Sequence, residues 1–187
     1  MQAIEVGFNC VWRLELSAFA DIRGHFFEVM SDKYFDLIPE LDFVPVQSNV
    51  SVSKRGALRG IHFSLATGGQ AKLVTCLAGS ILDCVVDLRE NSPTFGESRL
   101  VELSAESPQA IYIGPGIGHA FLSLEDGSLV NYLLDSPYDP DREFAVNAFD
   151  PTLNIGWPKM DYILSVKDSN AIDLQKLIST GNLPKYL

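Results

Sequence analysis

The sequence contains only three cysteines and three histidines among its 187 residues, and it has no long apolar run. Cys10, Cys76 and Cys84 are odd in number and lack metal-like spacing, so we expect reduced, mostly buried thiols. No run is long enough to cross a bilayer, and the N-terminus has an early glutamate without a basic flank. We therefore expect no membrane span, no signal peptide and a cytoplasmic location.

Basic residues are also scarce, with 14 Lys and Arg against 24 Asp and Glu, which gives a net charge of −10. This balance argues against non-specific binding to nucleic acid or to anionic membranes. It still permits an anionic substrate, because local Arg and Lys side chains can oppose the overall field. The length fits one domain spanning residues 1–187, and the sequence contains no repeat or linker.

What the sequence does contain is a series of short apolar segments separated by Gly and Pro turns. This pattern predicts an all-β fold, an antiparallel sandwich or barrel that encloses a small-ligand pocket. Two helices are expected, one over residues 31–38 with Ser31 as N-cap and Pro39 as its stop, and one over about 168–180. Strands are expected within residues 4–16 (a pair), 25–30, 43–53, 57–63, 71–76, 81–88, 98–103, 110–113, 119–124 and 129–134, with a turn at 21–24 and a hairpin signal at Asp126-Gly127.

The segment 81–88 has two different faces. Leu82, Cys84, Val86 and Leu88 alternate with Ile81, Asp83, Val85 and Asp87. A face that mixes apolar side chains with two carboxylates indicates a lined cavity or a wet surface.

Arg59, His62 and Lys72 lie close together in the centre of the chain. We expect residues 57–63 and 71–76 to form a hairpin around a turn at 66–69, which would bring an imidazole and an ammonium to one end of a sheet. Histidine can exchange a proton near neutral pH, and lysine can stabilise an oxyanion. The alternative is a core histidine flanked by solvated Arg59 and Lys72, and the residues alone leave both interpretations open.

Eight motifs in order make the chain resemble the dTDP-4-dehydrorhamnose 3,5-epimerase family of deoxysugar biosynthesis. Any one motif is weak, whereas all of them at this spacing are highly specific. They are residues 21–28 (DIRGHFFE), 59–63 (RGIHF), 70–72 (QAK), 83–89 (DCVVDLR), 92–96 (SPTFG), 118–121 (GHAF), 155–158 (IGWP) and 164–168 (LSVKD).

The resemblance implies a cupin-type jelly roll, a homodimer, and no metal or redox cofactor. The implied substrate is a dTDP-linked 4-keto-6-deoxyhexose. Its C4 carbonyl acidifies the hydrogens on C3 and C5, because the resulting carbanion is an enolate. An epimerase for such a sugar needs a base on one face, an acid on the other, and a cation or hydrogen-bond donor near the ketone oxygen.

The resemblance also implies roles for individual residues. His62 matches the base, Asp168 the carboxylate that orients it, Tyr132 the opposite acid, and Lys72 the residue beside the ketone oxygen. His119 matches a second pocket histidine assisted by Asp83, and Tyr138 matches an aromatic that stacks on thymine. Nucleotide and diphosphate contacts are implied for Gln47, Asn49, Arg59, Glu143 and Lys167, with Arg23 and Glu28 supplied by the dimer partner.

Four of these residues also have an ordinary structural interpretation. Asp168 fits a helix N-cap, Tyr132 a core aromatic, His119 a satisfied core histidine, and Tyr138 a turn tyrosine. In a regular strand Arg59 and His62 would face opposite sides, so both reach one ligand only across a bulge or with Arg59 at the rim.

Two other classes remain as alternatives, namely a metal-dependent cupin enzyme and a jelly roll that binds sugar nucleotides without catalysis. The chain also departs from the commoner family pattern at Val50, Ser64 and Gly118-His-Ala120. These departures leave open whether C3, C5 or both centres are epimerised.

Overall fold

The structure, a computed structural model, describes residues 2–38 and 41–186. Most of its regular structure is β. Its helices are α1 (Asp32–Phe35), α2 (Val166–Ser169) and α3 (Leu174–Thr180). Its strands are β1 (Ala3–Glu5), β2 (Val11–Glu15), β3 (Ala18–Asp21), β4 (Gly24–Phe27), β5 (Gln47–Ser53), β6 (Leu58–Ser64), β7 (Lys72–Ala78), β8 (Ser80–Asp87), β9 (Ser98–Ser104), β10 (Gln109–Ile113), β11 (Ile117–Ser123), β12 (Ser128–Leu134) and β13 (Glu143–Ala145).

Two antiparallel sheets pack face to face as a cupin-like jelly roll, which confirms the predicted fold class. The six-stranded sheet has the order β1-β2-β10-β7-β12-β5, and the five-stranded sheet has the order β13-β6-β11-β8-β9. Strands β3 and β4 form a separate hairpin around Ile22 and Arg23. None of the helices in the described part of the chain has the length and apolar character needed to span a membrane.

The core has three layers, because both sheets are covered on their outer faces. Between the sheets, Val74, Val85, Ile111 and Val130 pack together with their neighbours. The C-terminal segment covers the outer face of the five-stranded sheet, and residues around α1 cover that of the six-stranded sheet. The side chains of the first cover include Val146, Leu153, Leu174 and Leu177, and those of the second include Tyr34, Ile38 and Phe43.

Strand β8 has the two faces that its sequence predicts. Cys84, Val86 and Leu88 pack in the outer layer, whereas Ile81 and Val85 pack between the sheets. Asp83 shares the inner face with them, so the face that mixes apolar residues and carboxylates lies inside the barrel and not on a wet surface.

Two predicted hairpins are wrong. Strands β6 and β7 do not pair with each other, since β6 pairs with β11 and β13 while β7 pairs with β10 and β12. Strands β11 and β12, on either side of Asp126-Gly127, also belong to different sheets. The Gly-rich turn chemistry correctly marks where the chain reverses. It does not reveal whether the next strand stays in the same sheet or crosses to the other one.

The predicted helices are also too long. Helix α1 ends at Phe35, Ser31 precedes it without a side-chain capping bond, and Pro39 lies outside the described residues. The expected helix over 168–180 is two helices, because Ile172 forms a bridge to Val146 and extends the chain between them. Among the strands, β4 ends at Phe27 and β5 begins at Gln47, so both are shorter than predicted.

A buried ion pair joins β8 to the loop that follows it. The Asp87 carboxylate accepts hydrogen bonds from Arg89 at 2.8 and 2.9 Å, from Ser92 at 2.5 Å and from Thr94 at 2.6 Å. Burial alone would raise the pKa of Asp87, but these donors overcome it and lower the pKa to about 2. The Arg89 guanidinium in turn lies over the Tyr186 ring, which ties the C-terminal tail to this network.

We predict that Asp87→Asn lowers the free energy of unfolding by about 3 kcal/mol, because it leaves the buried Arg89 charge uncompensated. Glu97→Gln is the matched control, since its pair with Arg99 is partly exposed and its loss should cost less than about 1 kcal/mol. Urea titration of both variants at neutral pH measures the difference.

The same pair makes a pH-dependent contribution. Because the pKa of Asp87 is lower in the folded protein, its stabilisation is complete above about pH 4 and is lost as the pH falls through about 2. The difference in the free energy of unfolding between wild type and Asp87→Asn should therefore become smaller in that pH range. A gap that stays constant down to the lowest pH, or one below about 1 kcal/mol at neutral pH, would contradict this account.

Candidate active site

A cavity opens between the two sheets at one end of the barrel, and both sheets contribute to its wall. The five-stranded sheet supplies side chains from β6 and β11, the six-stranded sheet supplies them from β7 and β12, and the segment around α2 closes one side. The lining residues are Arg59, His62, Lys72, His119, Phe121, Tyr132, Ser165, Lys167 and Asp168.

A bulge in β6 brings Arg59 and His62 to the same cavity. His119 of β11 pairs with His62 and Phe121 pairs with Arg59, so three residue steps on β6 match two on β11. Gly60 sits in the bulge with a φ of +111°, and a Cβ there would come within 2.5 Å of the His119 carbonyl oxygen. Only glycine fits this position. The bulge at Gly60 allows Arg59 and His62 to reach the same cavity, although in a regular strand they would face opposite sides.

His62 forms a hydrogen-bonded pair with Asp168. The distance from His62 Nε2 to Asp168 Oδ1 is 2.6 Å, and the two residues are 106 positions apart in the sequence. The Asp168 side chain is 4% exposed, whereas the His62 side chain remains 34% exposed toward the cavity. The imidazole therefore presents far more surface to a ligand in the cavity than the carboxylate does.

The electrostatics of this pair decide which nitrogen of His62 is free. Burial would raise the pKa of Asp168, but the hydrogen bond and charge of His62, with help from Ser165 and the Gly60 N–H, lower it. The carboxylate is thus ionised at neutral pH and can only accept, so Nε2 carries the proton. The lone pair then resides on Nδ1, which makes His62 a proton acceptor.

A second histidine is held in the same way. The Nε2 atom of His119 lies 2.7 Å from Asp83 Oδ2, and both side chains are nearly inaccessible to solvent. The other oxygen of Asp83, Oδ1, is buried and has no hydrogen-bond partner among the described residues. Asp83 is fully buried and does not itself line the cavity, so it acts there through His119.

Lys72 projects from the opposite sheet and is 8% exposed. Burial lowers the pKa of its ammonium group, while the charges of Glu143 and Asp83 act to raise it. Glu143 lies on β13 beside β6, and its Oε1 atom is buried with no hydrogen-bond partner in the described chain. A buried cation on the cavity wall is suited to bind an electron-rich oxygen of a ligand.

Tyr132 also belongs to the six-stranded sheet. On β12 it pairs with Asn49 of β5 and with Val74 of β7, and it lines the cavity together with Lys72. His62 and Tyr132 consequently reach the cavity from opposite sheets. A molecule bound between the sheets would present one face to the imidazole and the other to the phenol.

Gln47, Asn49 and Tyr138 form a separate group next to the cavity. The Gln47 side chain donates to Asn49 Oδ1 at 3.0 Å, and its carbonyl oxygen accepts the Tyr138 backbone N–H at 2.9 Å. The Tyr138 ring is 58% exposed, so its face is available for stacking. These residues do not line the cavity itself, but Asn49 connects them to it through its pairing with Tyr132.

Arg23 and Glu28 lie away from the cavity. Arg23 is at the tip of the β3–β4 hairpin, where its guanidinium pairs with Asp21, and Glu28 follows directly after β4. Neither residue is among those that line the cavity of the same chain.

Sequence reasoning missed two lining residues, Phe121 and Ser165. Phe121 alternates with His119 on β11, so the inward face of that strand could have revealed it. Ser165 precedes Asp168 by three residues, which is the spacing of an N-cap and its N3 position. In the described residues, no three His, Cys, Asp or Glu side chains converge in a way that could hold a metal ion.

The fold and the cavity together define a cupin-type protein whose cavity wall carries two histidines, each paired with a carboxylate, together with a tyrosine and a buried lysine. The family model for dTDP-4-dehydrorhamnose 3,5-epimerase matches residues 5–176. The chain belongs to this family and is therefore an isomerase, which confirms the resemblance seen in the eight motifs.

Relatives with different names match the chain almost equally well. A dTDP-4-dehydrorhamnose 3,5-epimerase of Mycobacterium tuberculosis is 40% identical, over 100% of this chain and 94% of the relative. Among solved structures, NovW, a 4-keto-6-deoxy sugar epimerase from the novobiocin cluster of Streptomyces spheroides, has a TM-score of 0.95 at 39% identity, covering 100% and 94% of the two chains. ChmJ, a 3'-monoepimerase of Streptomyces bikiniensis in complex with dTDP-quinovose, has a TM-score of 0.92 at 42% identity, covering 100% and 93%.

Proposed function

We propose that the protein epimerises a dTDP-linked 4-keto-6-deoxyhexose at C3, at C5 or at both. The observation that carries this proposal is the placement of His62 and Tyr132 on opposite walls of one cavity in a member of this family. The complex of ChmJ with dTDP-quinovose and the description of NovW as a 4-keto-6-deoxy sugar epimerase support the substrate class.

The first step is the removal of a proton from the carbon next to the ketone. His62 takes the proton on Nδ1, the electron pair of the C–H bond forms a double bond to C4, and the C4 carbonyl π electrons move onto the oxygen to give the enolate. Asp168 stabilises the imidazolium that forms. Lys72 lies on the other wall and stabilises the negative charge that develops on the C4 oxygen.

The second step returns a proton to the opposite face of the same carbon. Tyr132 donates its phenolic proton, the C–H bond re-forms with inverted configuration, and the C4 carbonyl is restored. Proton exchange with solvent then returns the imidazolium of His62 and the phenolate of Tyr132 to their starting states. If His62 handled both transfers, the proton would return to the face it left, and no inversion would result. The division between two sheets is therefore what converts proton exchange into epimerisation.

The nucleotide is held outside the reacting centre. Arg59 and Lys167 line the cavity and supply positive charge for the diphosphate, and Arg59 is oriented by hydrogen bonds to Ser53 and to the Val52 carbonyl. The exposed ring of Tyr138 stacks on the thymine, and Gln47 and Asn49 provide polar contacts beside it. His119 completes the polar wall, and Glu143, which does not line the cavity, lies behind it on β13.

A homodimer completes the site in this proposal. The β3–β4 hairpin exposes Phe19 (60%), Ile22 (105%) and Phe26 (65%), and three apolar side chains of this size are unusual on a short free hairpin. A second copy would cover them and receive Arg23 and Glu28 beside its own cavity. Strand β5 offers a matching partner surface, because it is an edge strand with exposed Val50 and Val52.

The function predicts that solvent deuterium enters the substrate. Wild-type protein incubated with dTDP-4-keto-6-deoxyglucose in deuterium oxide should exchange the hydrogen at C3, at C5 or at both, as read by proton NMR. The relatives include both a 3,5-epimerase and a 3'-monoepimerase, so the pattern of exchange also gives the regiochemistry. Intact signals at both carbons after prolonged incubation would refute the proposed function.

We predict that Tyr132→Phe separates exchange from inversion. The substitution keeps the ring and removes only the hydroxyl, so folding and nucleotide affinity should change little. Deuterium should still enter through His62, whereas net conversion to the epimer should fall about 100-fold or more, as expected on loss of a general acid.

Two results would contradict the role assigned to Tyr132. Inversion at the wild-type rate would mean that another group donates the second proton. Loss of exchange in step with inversion would mean that the phenol is needed to form the enolate.

Hybrid dimers test whether the site is shared between two chains. Arg23→Ala and His62→Ala should each be inactive alone, because one lacks the partner's guanidinium and the other lacks the base. After mixing in equal amounts and random re-association, about one quarter of the sites should combine both intact residues and recover activity. A protein that sediments as a monomer at micromolar concentration and is active in that form would refute the shared site.

A further inference from the structure

The position of Asp168 poses a structural problem. Its carboxylate must stay 2.6 Å from His62, yet it belongs to α2, a helix of only 4 residues. A helix this short is not stable on its own. Apart from Asp168 itself, packing contributes little to holding the helix, because Val166 is 80% exposed. Something other than packing must therefore fix the direction of the Asp168 side chain.

Backbone hydrogen bonds anchor the chain just before the helix. The Ile163 N–H donates to the Gly56 carbonyl at 2.8 Å, and the Ile163 carbonyl accepts the Leu58 N–H at 3.0 Å. These bonds tie the segment to the beginning of β6, the strand that carries His62. They fix where the segment lies but not how it turns into α2.

Ser165 controls that turn. It is the N-cap of α2, with extended backbone angles, and its Oγ accepts the Asp168 N–H at 3.0 Å. In a capping box the acidic residue three positions later reaches back to the cap, whereas here the Asp168 carboxylate is directed at His62. The cap bond thus holds the backbone of the same residue whose side chain orients the imidazole.

We infer that Ser165 is a positioning residue of the proton-transfer site, which acts by capping α2 and thereby holding the Asp168 carboxylate against His62. This role rests on the proposed function only for its effect on turnover, because the effect on the His62–Asp168 hydrogen bond is independent of any substrate. Ser165 also lies at the cavity wall, so direct contact with the substrate is the competing explanation.

Proton NMR of the substrate-free protein tests the effect on the hydrogen bond. A short imidazole-to-carboxylate bond shifts its N–H proton far downfield, and His62→Ala identifies the signal of His62. In Ser165→Ala this signal should move upfield or broaden, and Ser165→Thr, which keeps an N-capping hydroxyl, should restore it. The His119–Asp83 pair at 2.7 Å serves as an internal reference that stays unchanged.

Ser169→Ala is the matched control. Ser169 lies in the same helix, and its hydroxyl donates to the Val166 carbonyl at 3.1 Å without involving Asp168. This variant should leave the His62 signal as in wild type. An unchanged signal in Ser165→Ala, or an equal change in Ser169→Ala, would overturn the inference.

Kinetics then separate positioning from substrate contact. Ser165→Ala should slow deuterium exchange about fivefold with little change in KM, as expected for the loss of one N-cap. In an Asp168→Asn background the same substitution should have no further effect on exchange, because Ser165 acts through Asp168. A rise in KM at unchanged kcat, or an equal loss in both backgrounds, would overturn it. Absence of exchange in the wild type would refute the proposed function alone, since the NMR signals still report on Ser165.

Discussion

The hydrogen bond between His62 and Asp168 is the constraint on which the rest of the site depends. It joins strand β6 to a segment 106 residues later, so the C-terminal part of the chain must dock before the site exists. Leu174 and Leu177 provide the apolar docking surface on the five-stranded sheet, and the backbone bonds of Ile163 set the approach. The same C-terminal segment therefore covers the outer face of the five-stranded sheet and supplies Asp168 to the cavity on its inner side.

In the proposed reaction two sheets are needed, because inversion removes a proton from one face of a carbon and returns one to the opposite face. A single sheet could place a base and a lysine next to each other, but it would put both on the same face of a bound sugar. In this jelly roll, β6 and β12 belong to different sheets, and their inward side chains meet across the cavity. The chain has a net charge of −10, yet Arg59, Lys72 and Lys167 concentrate positive charge where a diphosphate and an enolate oxygen would lie.

Local features of the fold could be predicted from the sequence, whereas its pairing could not. The alternation in 81–88 correctly gave both faces of β8, including the inward Asp83, because side-chain period depends only on neighbouring residues. The turn at 66–69 was located correctly, but the strands beside it belong to different sheets. That choice is made by packing between distant segments, on which turn residues carry no information.

The site shows the same division. The resemblance named seven of the nine residues that line the cavity and missed Phe121 and Ser165. The conflict between Arg59 and His62 left a bulge or a rim position open, and the structure has the bulge, at Gly60. The sequence pattern suggested a single helix beginning near Asp168. In the structure Ser165 caps the shorter helix α2, and the bridge between Ile172 and Val146 separates α2 from α3. A bridge between residues so far apart is a tertiary interaction that overrides local propensity.

The most direct test of the account is the rate of solvent deuterium incorporation in His62→Ala, measured by proton NMR on a variant shown to be folded. If the His62–Asp168 pair removes the proton that begins the reaction, incorporation at the exchanging carbon should fall by about three orders of magnitude. The His119–Asp83 pair is similar in geometry, but the His119 side chain is only 9% exposed against 34% for His62, so it should not replace the missing base. Deuterium incorporation at a rate close to that of the wild type would contradict the central claim.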